Sequence, residues 1–334
     1  MVMYMVNVAI NGFGRIGRMV FRAGWNDPKV NFVAINDLTD TETLANLLKY
    51  DSVHGRFPVS VKAQKNALIV GGKKIKVFAE KDPSELKWNE NKIDVVVEST
   101  GFFTTKEACQ KHIDAGAKRV LLSAPPKDDM PIFVMGVNDK EYKKSKHKIV
   151  SNASCTTNCL APIVKILDDE FGISKGFMNT VHSYTGDQKL VDAPHKDLRR
   201  SRSAAMNIVP TSTGAAKAVT KVIPRLKNKL DGIAMRVPTV DGSVTDFTFS
   251  TKKPATVEKI NSVVKKVSNG KMKSIVEYTE DPIVSRDIVG NPASSIFDSK
   301  MSMSLDSKFF KIVSWYDNEW GYSNRMIDML KKMG

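Results

Sequence analysis

The start of the chain alternates a short apolar run with a segment whose apolar positions recur every three or four residues. The run spans Val6 to Asn11, and Ile16, Met19, Val20 and Ala23 follow it at helical spacing. This pattern predicts a strand followed by an amphipathic helix.

A second strand and a second helix follow in the same order. The mostly apolar segment Val30 to Ile35 predicts a buried strand. Thr39 and Glu42 fit a capping box ahead of Leu44, which predicts that a helix opens there. Alternating strands and helices favour a parallel sheet in this half of the chain.

A tight hairpin is predicted within the same half. Gly71 and Gly72 join two alternating runs, Ala67 to Val70 and Lys73 to Phe78, and so indicate an antiparallel insertion. Two further apolar runs predict buried parallel strands, at Ile93 to Val97 and Arg119 to Leu122.

After about Ser151 the strands become longer and alternate in polarity. Gly176 to Tyr184, Ile233 to Thr239 and Ser243 to Thr251 have the pattern of antiparallel strands with one covered face. Between them, Asp187 to Thr213 is a long polar stretch of the kind that is usually functional or interfacial. With 334 residues, the chain is expected to form two domains.

Composition restricts the classes of function. Hydrophobic residues make up 42% of the chain and charged residues 26%, as in globular proteins. The net charge of +15 would attract anionic partners, but the densest run, Lys140 to Lys148, is typical of a solvated face, so nucleic-acid binding is not expected. The apolar stretch Met1 to Ile10 is too short to span a membrane. We therefore expect a cytoplasmic protein that binds no membrane.

Gly12, Gly14 and Gly17 fit the pattern G-x-G-x-x-G at the junction of the first strand and first helix. Glycines at such a junction allow a pyrophosphate to approach the free N–H groups of the helix. Asp37 lies twenty residues further on, where a carboxylate accepts hydrogen bonds from a ribose and disfavours a 2′-phosphate. The pattern predicts NAD as cofactor, over NADP; the alternative is a structural turn with a helix-capping aspartate.

Cys155 is the most informative of the three cysteines. It is predicted to lie in the first turn of a helix, where unpaired N–H groups would lower the thiol pKa toward or below neutrality. Cys159, one turn later, is interpreted as a packing residue. His182 follows in the same half of the chain, and a nucleophilic cysteine needs a base or an imidazolium neighbour.

Two further features indicate anion binding. Arg236 lies in an apolar strand, and its charge is costly to bury unless it meets an anion such as a substrate phosphate. The segment Thr211 to Gly214 could supply hydroxyl and backbone donors to a second anion, or could be a simple helix cap.

Several long motifs in order resemble one family, the phosphorylating glyceraldehyde-3-phosphate dehydrogenases. The matching segments are NGFGRIGR, SNASCTTNCLAP, HSYTGDQ, DAPHKDLRR, PTSTGAAKAV, MRVPT and WYDNEWGYS. The resemblance implies oxidation of glyceraldehyde 3-phosphate, with NAD and inorganic phosphate, through a thioester on Cys155 activated by His182. It places Thr185, Asp187 and Arg236 at the substrate phosphate and Arg200 at either anion. It places Ser154, Thr156, Thr213 and Gly214 at inorganic phosphate.

The resemblance also implies a cofactor site and an architecture. The cofactor residues are Gly12, Gly14, Arg15, Ile16, Gly17, Asp37, Thr100, Gly101, Phe103, Ser123 and Asn318, with no metal. Two positions depart from the family pattern: Lys81, where many relatives have arginine, and Ala193, where some bacterial NAD-specific relatives have leucine.

The expected fold is α/β: a Rossmann-type, doubly wound parallel sheet domain and a mixed, largely antiparallel α+β catalytic domain. The first domain would span residues 1–153 and be joined by a C-terminal helix at 318–334, and the catalytic domain would span 154–317. A homotetramer is implied, with the segment Asp187 to Thr213 at an interface. Erythrose-4-phosphate dehydrogenase is a close rival, and a basic surface or RNA-binding protein that retains a dinucleotide fold is a rival of another class.

Overall fold

A computed structural model describes residues 5–334, which form two compact units. The first comprises the residues up to Phe133 together with Glu141–Ala153 and Ser323–Gly334; the second comprises Val134–Lys140 and Ser154–Tyr322. The start of the predicted apolar run, residues 1–4, lies outside the described residues. No helix within 5–334 is long and apolar enough to cross a membrane.

The first unit is built on a largely parallel sheet. Over the described residues it has eight strands: β1 (Val6–Asn11), β2 (Val30–Asn36), β3 (Val61–Gln64), β4 (Ala67–Val70), β5 (Lys73–Phe78), β6 (Val95–Glu98), β7 (Arg119–Leu122) and β8 (Ile149–Ser151). The spatial order is β3-β4-β5-β2-β1-β6-β7-β8, and only β3–β4 and β4–β5 are antiparallel. Helices α1 (Arg15–Gly24), α2 (Thr41–Lys49) and α3 (Lys106–Asp114) belong to this unit.

The chain leaves the central strand β1 in both directions, first to β2 and later to β6, β7 and β8. Val8, Ala9 and Ile10 of β1 are fully buried, as expected for a strand covered on both faces. The predicted doubly wound sheet with a hairpin insertion is confirmed. The reversal of strand order beside β1 creates the crevice where such sheets bind ligands.

The start of α2 differs from the prediction. The capping residue is Asp40, whose Oδ1 accepts a hydrogen bond of 2.8 Å from Thr43 N, so the Thr39–Glu42 capping box is wrong. The N–H of Thr39 instead donates to Asp37 Oδ1 at 2.9 Å. Two overlapping cap patterns compete here, and the stronger acceptor, a carboxylate, caps the helix.

The second unit is built on a mixed sheet of longer strands. Within the part of the chain that the structure describes, it has seven: β9 (Ile173–Ser183), β10 (Val209–Ser212), β11 (Leu230–Val237), β12 (Ser243–Thr251), β13 (Val276–Thr279), β14 (Ser295–Asp306) and β15 (Phe309–Tyr316). Their order is β10-β11-β9-β12-β15-β14-β13. Helices α4 (Cys155–Phe171), α5 (Ala215–Val222) and α6 (Val257–Ser268) accompany this sheet, and the last helix of the chain is α7 (Trp320–Met333).

The predicted mixed, largely antiparallel sheet is confirmed, but the three strands predicted from their alternation are not all antiparallel to one another. β11 pairs with β9 in parallel, whereas β12 pairs with β9 antiparallel. The connection from β9 to β11 contains β10 and α5, and a parallel pair needs such a crossover in place of a hairpin.

Two further boundaries differ. The polar stretch Asp187 to Thr213 is not wholly irregular, because its last residues form β10 against β11. The C-terminal helix begins at Trp320 and not at residue 318. At the start of this helix, Asp317 Oδ1 accepts a 2.6 Å hydrogen bond from Trp320 N. In both cases a local hydrogen-bond partner, invisible in the apolar pattern, sets the boundary.

Candidate active site

Cys155 is the first residue of α4, immediately after the capping residue Ser154. Ser154 Oγ accepts a 3.1 Å hydrogen bond from Thr157 N. The other N–H groups of the first helical turn have no partner within the helix, and they lie near the thiol. The thiol side chain is half-buried. The structure therefore places Cys155 in the first helical turn, as the sequence predicts.

His182, on β9, faces this thiol. Its Nε2 lies 3.4 Å from Cys155 Sγ, and its Nδ1 lies 2.7 Å from the carbonyl oxygen of Ser183. A carbonyl only accepts, so Nδ1 carries the proton and Nε2 presents its lone pair to the sulfur. The histidine is 3% exposed, and burial, aided by the charge of Arg236, lowers its pKa to about 3. His182 is therefore a neutral base.

The predicted direction of the Cys155 pKa is wrong. Burial raises the pKa of the Cys155 thiol and outweighs the opposing effects of Arg236 and of the hydrogen bonds from Thr156. Desolvation penalises the thiolate more than the helix terminus stabilises it. Burial disfavours the charged form of both side chains and so favours a thiol beside a neutral imidazole.

The other two cysteines lie in different surroundings. Cys159 is fully buried, with Sγ 3.5 Å from both Thr245 Oγ1 and Ser295 Oγ, and burial raises its pKa to about 12. Cys109 is also buried, and its pKa is likewise raised to about 12. Neither thiol has a base of the kind that His182 provides, which supports the interpretation of Cys159 as a packing residue.

Arg236 is the register partner of His182 across the parallel pair β11–β9. One guanidinium nitrogen donates to Thr185 Oγ1 at 2.8 Å and to Ser183 O at 3.3 Å. Its Nε is buried and has no hydrogen-bond partner among the described residues. Burial lowers the pKa of Arg236. A half-buried cation with a buried, unused donor is the arrangement expected of an anion site.

A hydrogen-bonded chain continues from Arg236. Thr185 Oγ1 donates to Asp187, and Asp187 Oδ2 accepts a 2.8 Å hydrogen bond from Arg200. Arg200 Nε donates to Thr211 Oγ1 at 2.9 Å. The structure thus brings together the predicted residues Thr185, Asp187, Arg200 and Arg236, whose formal charges sum to a net positive value.

A second group of donors surrounds the start of α5. Thr157 Oγ1 lies 3.4 Å from Ala215 O, so the first turns of α4 and α5 are neighbours. Thr213 Oγ1 accepts from Ala215 N at 3.2 Å, and Gly214 caps α5 without a side chain. A Cβ at Gly214 would meet no atom within 4 Å, so this helix end is open. Two adjacent helix N-termini favour an anion.

Thr156 follows Cys155 in the first turn of α4. Its hydroxyl is buried and lies 2.8 Å from the hydroxyl of Tyr316, which also lies 2.9 Å from Thr180 Oγ1. The hydroxyl of Thr156 therefore takes part in an internal hydrogen-bond network.

Sequence reasoning missed Tyr316. This residue is 1% exposed, and its ring packs edge-on against His182, with centroids 5.9 Å apart. Tyr316 thereby packs directly against His182. The only available signal was its position within the segment WYDNEWGYS.

The glycine-rich turn lies in the first unit, and its glycines have distinct roles. Gly12 has φ +88°, and a Cβ there would lie 2.7 Å from Thr100 N. A Cβ at Gly17 would collide with Gly12 O, so Gly17 permits close packing of α1. A Cβ at Gly14 would meet nothing within 4 Å, and Gly14 caps α1 without a side-chain hydrogen bond. The open helix end at Gly14 fits a pyrophosphate.

Asp37 and Arg15 are held beside this turn. Asp37 Oδ2 accepts a 2.7 Å hydrogen bond from Phe13 N, which fixes the carboxylate against the glycine turn. Arg15 donates two hydrogen bonds to Asp51, at 2.5 and 3.2 Å. Ile16 is half-buried in the first turn of α1.

The remaining predicted cofactor residues lie near the ends of β6 and β7, except Asn318. Thr100 N donates to Glu98 Oε1 at 2.9 Å, Ser123 N donates to Glu98 O at 2.9 Å, and Gly101 has φ +76°. Phe103 is half-buried. Asn318 belongs to the second unit, where its Oδ1 accepts hydrogen bonds from Ser183 and Ser243 at 2.9 and 2.6 Å.

A doubly wound unit with a glycine-rich turn and a second unit with a thiol, a neutral base and clustered arginines define an NAD-linked, thiol-dependent dehydrogenase. Residues 6–106 match the family described as "Glyceraldehyde 3-phosphate dehydrogenase, NAD binding domain", and residues 154–318 match "Glyceraldehyde 3-phosphate dehydrogenase, C-terminal domain". The chain belongs to the glyceraldehyde-3-phosphate dehydrogenase family, and its cofactor is NAD.

Full-length relatives are similar throughout. The chain is 58% identical to the glyceraldehyde-3-phosphate dehydrogenase of Bacteroides fragilis (strain YCH46) over 332 residues, 98% of each chain. It is 55% identical to the glyceraldehyde-3-phosphate dehydrogenase of Geobacillus stearothermophilus over 324 residues, 97% of each chain.

Proposed function

We propose that this protein oxidises D-glyceraldehyde 3-phosphate, with NAD and inorganic phosphate, to 1,3-bisphosphoglycerate, as a step of glycolysis. The observation that carries the proposal is the contact between Cys155 Sγ and His182 Nε2, 3.4 Å long, with Arg236 in register beside the histidine. This combination provides a nucleophile, its base and a cation for a phosphorylated aldehyde.

The reaction begins when His182 Nε2 takes the thiol proton and Cys155 Sγ bonds to the aldehyde carbon, giving a hemithioacetal. The backbone N–H of Cys155 and the protonated ring of His182 stabilise the developing oxyanion. His182 donates this proton to the oxyanion, which becomes the hydroxyl of the hemithioacetal. It takes the same proton back as the carbon loses a hydride. NAD, when bound, accepts that hydride.

The product of this oxidation is a thioester on Cys155. An oxygen of inorganic phosphate attacks the acyl carbon, the C–S bond breaks, and the thiolate leaves and is protonated again. The thioester retains enough free energy to form an acyl phosphate, so covalent catalysis conserves the energy of the oxidation.

Two anion positions are proposed in the second unit. The substrate phosphate is assigned to Arg236, Thr185 and Asp187, which are linked by hydrogen bonds. The attacking phosphate is assigned to Ser154, Thr156, Thr213 and Gly214, because the starts of α4 and α5 lie side by side. Arg200 can serve either anion through its contact with Asp187.

NAD is assigned to the glycine-rich turn of the first unit and to the residues near it. Asp37 is proposed to accept from the adenosine ribose, and the amide of Asn318 to donate to the nicotinamide carboxamide. The full proposed set is Gly12, Gly14, Arg15, Ile16, Gly17, Asp37, Thr100, Gly101, Phe103, Ser123 and Asn318. The domain assignment proposed with it is residues 1–153 with the C-terminal helix for NAD and 154–317 for catalysis.

A cytoplasmic homotetramer is proposed as the working form. Exposed apolar side chains on the second unit support an assembly, since isolated chains rarely expose such groups together. On the sheet these are Phe177 of β9, 73% exposed, and Ile233 of β11, 48% exposed. In the segment Asp187 to Thr213, Leu190, Leu198 and Met206 are each more than 80% exposed.

Absorbance of NADH tests the proposed function. Wild-type protein should reduce NAD with glyceraldehyde 3-phosphate and phosphate faster than with erythrose 4-phosphate, and Cys155→Ser should abolish the reaction. Cys159→Ser is the matched control, because Cys159 is buried away from His182, and it should keep most activity. Faster oxidation of erythrose 4-phosphate would instead identify the rival enzyme.

A further inference from the structure

A cluster of buried polar side chains lies at the carboxyl ends of β1, β2 and β6 in the first unit. Asn11, Asn36 and Glu98 are the last residues of these strands, and His112 of α3 packs against Glu98. Glu98 and His112 are both completely buried. An acid and a histidine at this depth are costly unless every polar atom is bonded, and the proposed chemistry of Cys155 uses neither.

The side chain of Glu98 accepts four hydrogen bonds. Oε1 accepts from Thr100 N at 2.9 Å and from Thr100 Oγ1 at 2.5 Å. Oε2 accepts from Asn11 Nδ2 at 2.6 Å and from His112 Nε2 at 2.9 Å. The threonine hydroxyl itself accepts from Phe102 N at 3.1 Å, so its proton points to Glu98. Because all four neighbours donate, both oxygens of Glu98 act as acceptors.

The state of His112 follows from its second partner. Trp88 Nε1 lies 3.1 Å from His112 Nδ1, and an indole N–H only donates. Nδ1 is therefore unprotonated, and the single ring proton is on Nε2, directed to Glu98. The buried carboxyl group of Glu98 is therefore held by donors from Thr100, Asn11 and His112.

These hydrogen bonds join two turns that are assigned to the cofactor. Thr100 belongs to the turn after β6, and Asn11 immediately precedes Gly12 of the glycine-rich turn. The two turns already touch, because a Cβ at Gly12 would lie 2.7 Å from Thr100 N. Ser99 Oγ adds a 2.7 Å hydrogen bond to Gly12 O.

We propose that Glu98, oriented by His112, is a positioning residue that holds both turns in the geometry that NAD requires before the cofactor arrives. The inference deepens the proposed function and depends on it for the identity of the ligand. Glu98 contacts no reacting atom; it acts through Thr100 and Asn11. Preorganisation of this kind lowers the cost of ordering the turns on binding, so its loss weakens affinity.

Titration of NAD against purified protein, followed by calorimetry, tests the inference. In Glu98→Gln one acceptor becomes an amide NH₂ that faces existing donors, so the Kd for NAD should rise at least about tenfold. The KM for NAD should rise with it, while kcat at saturating NAD should stay within about twofold. Glu107→Gln, an exposed glutamate on α3, is the matched control and should bind as wild type does.

Two substitutions of the histidine separate positioning from general stability. His112→Gln keeps a donor toward Glu98 and should retain most NAD affinity, whereas His112→Leu should weaken it at least about tenfold. In the protein without NAD, the amide of Thr100 should exchange faster with solvent in Glu98→Gln and His112→Leu than in wild type. The alkylation rate of Cys155 should not change in any of these variants.

Failure of the proposed function and failure of the positioning role would give different results. Wild-type protein that does not bind NAD would contradict the proposed function itself. Wild-type binding with an unchanged Kd in Glu98→Gln would overturn the positioning role. If Glu98→Gln does not fold, equal NAD affinity in His112→Gln and His112→Leu overturns it instead.

Discussion

The proton between Cys155 and His182 determines the chemistry of both side chains. His182 Nδ1 donates to Ser183 O, so Nε2 is left as the acceptor 3.4 Å from the sulfur. Burial raises the pKa of the thiol and lowers that of the imidazole, and both effects favour the neutral pair. In the proposed reaction, His182 therefore takes the thiol proton as the sulfur attacks.

This arrangement predicts how alkylation depends on pH. A thiol with a raised pKa has little thiolate at neutral pH, so the rate of Cys155 alkylation by iodoacetamide should keep rising between about pH 6 and pH 9. Cys159→Ser should give the same profile, because burial raises the pKa of Cys159 to about 12. Mass spectrometry would locate the label, and a rate that levels off below pH 7 would indicate a stable thiolate–imidazolium pair.

Arg236 gives a second prediction at the same scale. Arg236→Leu removes the cation with the unused buried Nε and should raise the KM for glyceraldehyde 3-phosphate. Loss of a charge-assisted contact costs about 1.5–3 kcal/mol, so kcat/KM should fall about tenfold or more. NAD affinity should not change. Unphosphorylated glyceraldehyde is the control: an equal loss with both aldehydes would make Arg236 a structural residue.

At the scale of elements, the glycines of the glycine-rich turn have different roles: some are required by packing, and one leaves space for a ligand. A Cβ at Gly14 meets no protein atom, whereas a Cβ at Gly12 collides with Thr100. Gly14 therefore leaves space at the end of α1 that the protein itself does not use.

Gly14→Ala should leave thermal stability nearly unchanged and raise the Kd for NAD by about tenfold or more, because the methyl group occupies the approach to the helix N-terminus. Gly12→Ala, at φ +88°, should instead lower the melting temperature. Differential scanning fluorimetry and NAD titration measure the two effects. Gly14→Ala with normal NAD affinity would show that the cofactor does not approach this helix end.

Local patterns in the sequence predicted most elements but not all of their ends or partners. The predicted bounds of β12, Ser243–Thr251, agree with the structure, in which buried and half-buried residues alternate over all nine positions. The predicted start of α2 was wrong because two cap patterns overlap, and the choice between them depends on hydrogen-bond geometry. The parallel pairing of β11 with β9 could not be predicted from either strand, since it depends on the path of the chain between them.

Local patterns also predicted part of the candidate active site and missed the rest. Residue types and spacing predicted that Cys155 begins a helix and that His182 is near it, and the structure brings them together. The direction of the thiol pKa was missed because it depends on burial, which spacing does not measure. Tyr316 was missed because its hydroxyl contacts Thr156, 160 residues away in the sequence.

At the scale of the whole molecule, the exposed apolar face of the second unit predicts self-association. Light scattering should give a mass about four times the 37.0 kDa of one chain. Phe177→Asp places a charge on this face and should lower the mass, whereas Val284→Asp, at an exposed apolar position off the sheet, should not. A wild-type mass of one chain would contradict the proposed tetramer.

The covalent route through Cys155 is tested most directly by a stopped-flow measurement of NADH formation without phosphate. Mixing the enzyme and NAD with glyceraldehyde 3-phosphate should give a rapid burst of one NADH per Cys155. Almost no turnover should follow, because the acyl group stays on Cys155 until phosphate attacks the thioester. Adding phosphate should restore steady turnover. Absence of a burst, or turnover that does not depend on phosphate, would contradict the thioester mechanism.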